Sequence, residues 1–319
     1  MRVKRTANPL RSFLENQGTV IVDGGLATEL EARGHDLDHE LWSARLLLEE
    51  PQAIRQIHRD YLAAGADCII SASYQATIPG FMRQGLSAPD ARALLELSVK
   101  LAVETRDQFW SVPANRIGRL KPLVAASVGP YGAALADGSE YRGDYNLDEA
   151  GLQAFHRQRW ELLAQSAVDL LACETIPSWP ETRALARLLA ETPGRYAWFS
   201  FSCPDEIHIS DGTPIARCAA FLDDNPGVAA IGINCTAPRY IAGLVREVRR
   251  VTDRPIVVYP NSGERYNLDD KRWLGEKDVT AFAELSHHWH AAGAQVVGGC
   301  CRTGPAHIAE LRDSLVVEA

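Results

Sequence analysis

The sequence predicts an α/β fold of the (β/α)8 barrel type, organised as one domain over residues 1–319. Three observations lead there. Short apolar runs rich in β-branched residues recur eight times along the chain, and helical patterns separate them. The joints from helix into strand also resemble one another: AAGADCIIS at 63–71, AAGAQVVGG at 291–299 and, more loosely, AQSAVDLLA at 164–172. Near-continuous apolar runs suit strands buried on both faces, as in parallel sheets, and a βα unit repeated eight times suits a closed barrel.

In order, the runs are Thr19–Val22, Asp67–Ser71, Leu123–Val128, Asp169–Cys173, Tyr196–Phe201, Val228–Ile233, Pro255–Tyr259 and Ala294–Gly298. Between the first two, Pro51–Ala64 reads as a helix. Pro stands at its start, Ile54, Ile57, Tyr61 and Leu62 form one stripe, and Gly65 is the stop. Before the last run, Phe282, Leu285 and Trp289 make a similar stripe that ends at Gly293. A doubly wound open sheet is the alternative. It is expected to carry a glycine-rich phosphate loop after its first strand, and DGGLATE at 23–29 is not G-x-G-x-x-G. The longer polar stretches, Asp137–Leu147 and Asn261–Lys277, follow the third and seventh strands. In a barrel such loops lie at the active-site face.

The 319 residues are 46% hydrophobic and 23% charged, enough for a core and unlike a fibrous or disordered chain. With 33 basic against 41 acidic side chains the net charge is −8, a poor match for nucleic-acid phosphates. No apolar run reaches the roughly 18 residues of a membrane helix. Residues 1–11 hold four basic residues and no acid, without the apolar stretch of a secretory signal. They read as a short leader, a cleaved organelle peptide being the alternative. Seven cysteines, two of them adjacent, fit a reducing cytoplasm better than a secreted disulfide framework.

Chemistry concentrates at the strand ends. Asp23, Gly24 and Gly25 follow strand one, Ser73, Tyr74 and Gln75 strand two, and Gly129, Pro130 and Tyr131 strand three. Glu174 follows strand four, Asn234 and Cys235 strand six, Asn261 strand seven, and Cys300 and Cys301 strand eight. In a barrel the rim ends of strands six and eight lie on the order of 10 Å apart. Three thiolates from them, with one coordination position open, would make a catalytic zinc site. Buried small residues, or a strained redox pair of Cys300 and Cys301, are the other readings. Cys68, Cys173, Cys203 and Cys218 read as structural. His287, His288 and His290, and likewise His35 and His39, read as solvated faces rather than ligands. Asp23 and Glu174 are either caps and surface partners or, pointing into the mouth, a pair for a substrate ammonium. Gly24 and Gly25 would let backbone N–H groups approach a carboxylate. Together these features suit an amino acid.

The motifs DGGLATELEARG (23–34), SASYQAT (71–77), SVGPYGAALADGSEYRGDY (127–145), CETIP (173–177), SDGTP (210–214), GINC (232–235), YPNSGE (259–264) and GGCCRT (298–303) resemble the homocysteine S-methyltransferase family. The resemblance runs from about residue 10 to 312 and is nearest to bacterial enzymes that use S-methylmethionine. It implies a (β/α)8 barrel with Zn2+ on Cys235, Cys300 and Cys301. It implies that Asp23 and Glu174 hold the homocysteine ammonium and that backbone around Gly24, Gly25 and Ser71 receives its carboxylate. Asn234 would lie beside the metal, and Asn261 matches an asparagine that occupies the fourth position when substrate is absent. Methyl transfer from S-methylmethionine or S-adenosylmethionine would give methionine. The loop after strand three supplies Asp137, Glu140, Asp144 and three tyrosines, an acidic and aromatic mouth for a cationic donor. Tyr131 is the candidate to face the sulfonium, ordinary loop packing being the simpler reading. The homocysteine half of a folate- and cobalamin-dependent methionine synthase would require further modules, and a non-catalytic zinc or redox barrel is the reading from another class.

Overall fold

Each strand of this chain is apolar on both faces, and the two faces meet different partners. In the computed structural model, which describes residues 7–37, 45–263, 265–267, 272–274 and 278–316, eight parallel strands form one sheet. They are β1 (Val20–Ile21), β2 (Cys68–Ile70), β3 (Leu123–Val128), β4 (Leu170–Ile176), β5 (Ala197–Phe201), β6 (Val228–Asn234), β7 (Ile256–Tyr259) and β8 (Ala294–Val297). Sequence neighbours pair from β2 to β8, and β8 pairs with β1. A parallel bridge between Val22 and Cys68 joins β1 to β2 and closes the barrel. Two backbone bonds complete that seam, Asp67 N–H to Ile21 O at 2.7 Å and Asp23 N–H to Cys68 O at 3.0 Å.

Alternation sorts the side chains into two layers. Val20, Val22, Cys68, Ala125, Ala172, Trp198, Ala230, Val257, Tyr259 and Val296 fill the barrel interior. Ile21, Ile69, Val124, Leu171, Phe199, Ile231, Val258 and Val297 lie in the second layer, under the helices. The interior is therefore a packed core and not a channel. Its lower end is stopped by the helix Arg11–Gln17, whose Phe13, with Leu10 just before it, joins the interior cluster. The same parity, carried two residues further, turns Ser127, Glu174, Ser200 and Asn234 inward at the upper end.

The predicted helix after the first βα turn is present as Pro51–Ala63, with Ile54, Ile57, Tyr61 and Leu62 buried. The stripe on the helix Val279–Ala292 differs from expectation. Phe282 and Trp289 are buried, but Leu285 is exposed and Ser286 lies on the buried side. Ser286 is tolerated there because its hydroxyl donates to Ala283 O at 2.6 Å, a bond within its own helix. His287, His288 and His290 face solvent, and Cys68, Cys173, Cys203 and Cys218 are buried, as expected. His39 lies outside the described residues, as do positions 1–6 of the leader. Within the polar stretch after β7, Arg265–Asn267 and Arg272–Leu274 pair as an antiparallel hairpin; 264, 268–271 and 275–277 are outside the described residues.

At the lower rim Asp67 is wholly buried. Its Oδ1 pairs with the Arg312 guanidinium at 2.9 Å, and its Oδ2 accepts from Ile21 N–H at 3.0 Å and Gln17 Nε2 at 2.6 Å. One carboxylate thus ties the last helix, the plug helix and the seam. Breaking such a buried pair leaves an uncompensated charge. Asp67→Ala should cost about 3 kcal/mol in urea unfolding. Glu15→Ala, which removes an exposed partner of Arg11, should stay within about 0.5 kcal/mol. Equal losses would show that Asp67 is not structural.

Candidate active site

Three sulfurs meet at the upper rim. Cys235 follows β6 directly and adopts a left-handed backbone with φ 50°. Its N–H donates to Tyr259 O at 3.2 Å, so the turn is pinned to β7. Cys300 and Cys301 follow the Gly298–Gly299 pair after β8. A Cβ on Gly299 would lie 2.2 Å from Thr303 Oγ1, so only glycine allows the turn. Cys300 N–H donates to Pro260 O at 2.8 Å, and Thr303 Oγ1 donates to Cys300 O at 2.7 Å. The three Sγ atoms lie within 4.8 Å of one another, with Cys235 and Cys301 at 3.7 Å. A tetrahedral ion with bonds of about 2.3 Å to sulfur, as zinc makes, separates its ligands by about 3.8 Å. The donor set and its spacing therefore fit a thiophilic ion. Hydrogen bonds among the three hold the Cys235 thiol well below the ordinary range and the other two above it.

Asn261 carries a second observation that fits a metal. Its Oδ1 is buried and has no hydrogen-bond partner among the described residues. Its chain neighbours clasp the cysteine turn, Pro260 O receiving Cys300 N–H and Ser262 N–H donating to Cys301 O at 3.0 Å. A buried amide oxygen left unpaired costs about 1–3 kcal/mol. A metal beside it would remove that cost.

Below the sulfurs lies the acid pair. Asp23 is nearly buried, and its Oδ2 accepts from Ile70 N–H at 2.8 Å. Glu174 is not after the fourth strand, as expected, but within it. β4 extends to Ile176, and the inward parity turns the carboxylate into the mouth. Ser127 Oγ donates to its Oε1, and Tyr259 OH donates to its Oε2 at 3.1 Å. Tyr259 in turn is held by Ser200 Oγ at 2.6 Å and Trp198 Nε1 at 3.0 Å. Burial pushes Glu174 up to about 7, and burial together with the Glu174 charge holds Asp23 well above the carboxylate range. Among the described residues no cation acts on either carboxyl. Two acids facing one space without a positive partner could receive an incoming ammonium.

The remaining predicted residues divide. Asn234 faces inward and clamps Thr175, accepting from its N–H and donating to its Oγ1, both at 2.7 Å. Thr175 has a left-handed φ of 60° where the β4–β5 register shifts, so Asn234 fixes the bulge just after Glu174. Gly24 and Gly25 serve close packing. A Cβ on either would lie within 2.6 Å of Thr303 O or Cys300 O, respectively. Gly25 N–H already donates to Thr303 O at 3.0 Å, and Ser71 N–H to Ala125 O at 2.9 Å. Those two N–H groups are thus occupied within the fold, so a substrate carboxylate would meet other backbone around these residues. Tyr131 packs edge-on against Tyr145 at 5.2 Å and Phe155 at 4.9 Å, which is the simpler packing reading.

Sequence reasoning missed Tyr141, whose hydroxyl lies 3.2 Å from Cys235 Sγ. It also missed Ser127 and Tyr259 as partners of Glu174. Strand parity was a usable signal for those two, since both sit on inward positions. No local pattern marks Tyr141, which reaches the sulfurs from a loop 94 residues away in sequence.

Comparison with known proteins agrees with this geometry. Residues 20–315 match the family described as Homocysteine S-methyltransferase. The chain is 52% identical over 304 residues to "Homocysteine S-methyltransferase YbgG" of Bacillus subtilis, covering 95% of this chain and 96% of that one. It is 49% identical over 306 residues to "Homocysteine S-methyltransferase" of Escherichia coli, covering 96% and 98%. The crystal structure of the homocysteine methyltransferase MmuM from Escherichia coli, in its metallated form, superposes with a TM-score of 0.86 at 47% identity, covering 96% of this chain and 99% of that one. The chain belongs to the homocysteine S-methyltransferase family.

Proposed function

We propose that the protein transfers a methyl group from a sulfonium donor to the thiol of L-homocysteine, giving methionine, with Zn2+ held by Cys235, Cys300 and Cys301. The observation that carries this reading is the meeting of three sulfurs, within 4.8 Å, with two buried carboxylates that lack a cation. Homocysteine is an ammonium and a thiol on one short chain, and the site offers a complement to each. A free thiol has a pKa of about 8.5 and is mostly protonated at neutral pH. Zinc bound by three thiolates would keep the substrate sulfur deprotonated there.

The chain's own residues do the rest. Asp23 and Glu174 bind the ammonium and thereby aim the thiol at the cysteines. Ser127 and Tyr259 keep Glu174 in its inward rotamer. Asn234 holds the bulge just after Glu174, and Asn261 Oδ1 would be the resting ligand that the substrate sulfur displaces. The thiolate attacks the donor's methyl carbon, and the carbon–sulfur bond breaks with its electron pair leaving on a neutral thioether. No general base is needed, so alignment and exclusion of water are the enzyme's main contribution. S-methylmethionine is the preferred donor, and S-adenosylmethionine is used more slowly. The support is the acidic, aromatic loop after β3. With S-methylmethionine, both products are methionine. Seven cysteines without a disulfide among them suit a cytoplasmic protein acting on small molecules.

Metal analysis of the purified protein should find one zinc per chain, lost in Cys300→Ala with the fold retained, since the barrel has its own core. Full zinc and full activity in that variant would remove the cysteines from the reading.

Glu174→Gln keeps shape and removes charge. It should weaken homocysteine binding by about 1.5–3 kcal/mol with zinc unchanged. The same variant tests the pH behaviour. Glu174 binds its proton more tightly folded than unfolded, so stability falls as pH rises from the ordinary carboxyl value toward about 7. Substrate-free Glu174→Gln should therefore melt above the wild type at pH 8, with the difference shrinking at pH 5. A constant difference across that window would place the titration elsewhere.

Competition between the two sulfonium donors at equal concentration should favour S-methylmethionine in methyl flux to homocysteine. Greater flux from S-adenosylmethionine would overturn the donor preference and leave the homocysteine site standing.

A further inference from the structure

The loop after β3 carries three acids, and their surroundings differ. Asp137 is exposed and caps its own turn, with Oδ1 accepting from Ser139 N–H at 2.9 Å. Asp144 is exposed and pairs with Arg142 at 3.3 Å. Glu140 alone is turned inward: its Oε2 is buried and has no hydrogen-bond partner among the described residues. Its carboxyl is held above the usual range first by burial, with the Cys235 and Asp137 charges adding, while a backbone N–H and the Arg142 charge pull it down. Arg142 itself pairs with Asp144. The hydroxyls of Tyr74 and Tyr145 both feel the Glu140 charge. Glu140 is thus an acid with one buried, unpartnered oxygen in an aromatic surround beside the sulfur cluster.

The backbone is built to keep it there. Gly132 leaves no room for a side chain, since its Cβ would lie 2.4 Å from Glu140 N. Ser202 Oγ donates to Glu140 O at 3.3 Å. Further back, Arg159 donates to Gly129 O, and Glu181 Oε1 accepts Tyr131 N–H at 2.6 Å and bonds His156 at 2.7 Å. This buried network fixes the start of the loop. The loop's next residue, Tyr141, touches Cys235 Sγ.

We propose that Glu140 binds the α-ammonium of the methyl donor. The inference rests on the reading of this site as a sulfonium-dependent methyltransferase. A methyl group moving to a sulfur beside Cys235 requires the sulfonium to sit near Tyr141. In S-methylmethionine and S-adenosylmethionine alike, three carbons join the sulfonium to the ammonium, a span of about 5 Å. Binding theory selects the same group. A carboxylate against the sulfonium would stabilise charge that the transition state loses, and would slow transfer. Against the ammonium, whose charge persists, it contributes equally to ground and transition states and lowers KM alone.

The test is steady-state kinetics of zinc-loaded Glu140→Gln with each sulfonium donor at saturating homocysteine, with Glu140→Ala as a second variant. Donor KM should rise at least tenfold for both donors, with kcat within threefold of wild type and homocysteine KM and zinc content unchanged. A donor KM within twofold of wild type overturns the proposal. So does a fall in kcat at constant KM, which would mark Glu140 as a prop for Tyr141. If the wild type uses S-adenosylmethionine and not S-methylmethionine, the donor preference fails and Glu140 is decided on S-adenosylmethionine. Inactivity with both sulfonium donors overturns the donor reading and the proposal together.

Discussion

Closure of the barrel at Asp23 is the interaction on which the site depends. Its N–H donates to Cys68 O on β2, its carboxylate accepts Ile70 N–H, and its own carbonyl accepts Gly299 N–H beside the paired cysteines. One residue therefore joins the first strand to its neighbours on both sides. The bonds that shut the barrel also set the height of the turn that presents Cys300 and Cys301. A carboxylate in this position is costly to bury. In the proposed function the substrate's ammonium would offset that cost, so the closing residue would also be a substrate residue.

From that seam the rest follows by parity. A packed barrel needs apolar side chains on its inner rows, and only the uppermost inner positions can be polar, because only they border the mouth. Ser127, Glu174, Ser200, Asn234 and Tyr259 occupy those positions and bond mainly to one another or to the bulge at Thr175. The cysteines stand one step further out, on turns after the strands. The result is two layers, an acid layer on the inner strand positions and a sulfur layer on the turns beyond them. The loop after β3 lies over both and adds a third, cationic-group-binding layer through Glu140.

Much of this was legible in the chain. Eight apolar runs with similar joints implied the barrel, and the barrel implied that Cys235, Cys300 and Cys301 would meet, although 65 residues separate the first two. The motifs then identified the family. What the chain hid is physical in kind. Strand ends are set by the register of neighbours, which is why Glu174 and Asn234 lie inside their strands. Backbone N–H groups show no preference in a sequence, so the use of Gly25 and Ser71 for packing within the fold was invisible. Loop tyrosines are interchangeable on paper. Tyr131 follows the strand more closely than Tyr141, yet its ring is drawn into the cluster with Tyr145 and Phe155, and Tyr141 reaches the sulfur. Leu285 shows the same limit on a helix, where a seven-residue stripe has more than one fitting face.

The central claim is that the three cysteines hold a metal whose remaining position is taken by the substrate's sulfur. X-ray absorption at the zinc edge, measured before and after addition of homocysteine, tests it most directly. Three sulfurs and one lighter donor are expected before addition, and four sulfurs after it. An unchanged ligand set would contradict it, and so would a fourth sulfur gained only as one of the cysteines is lost.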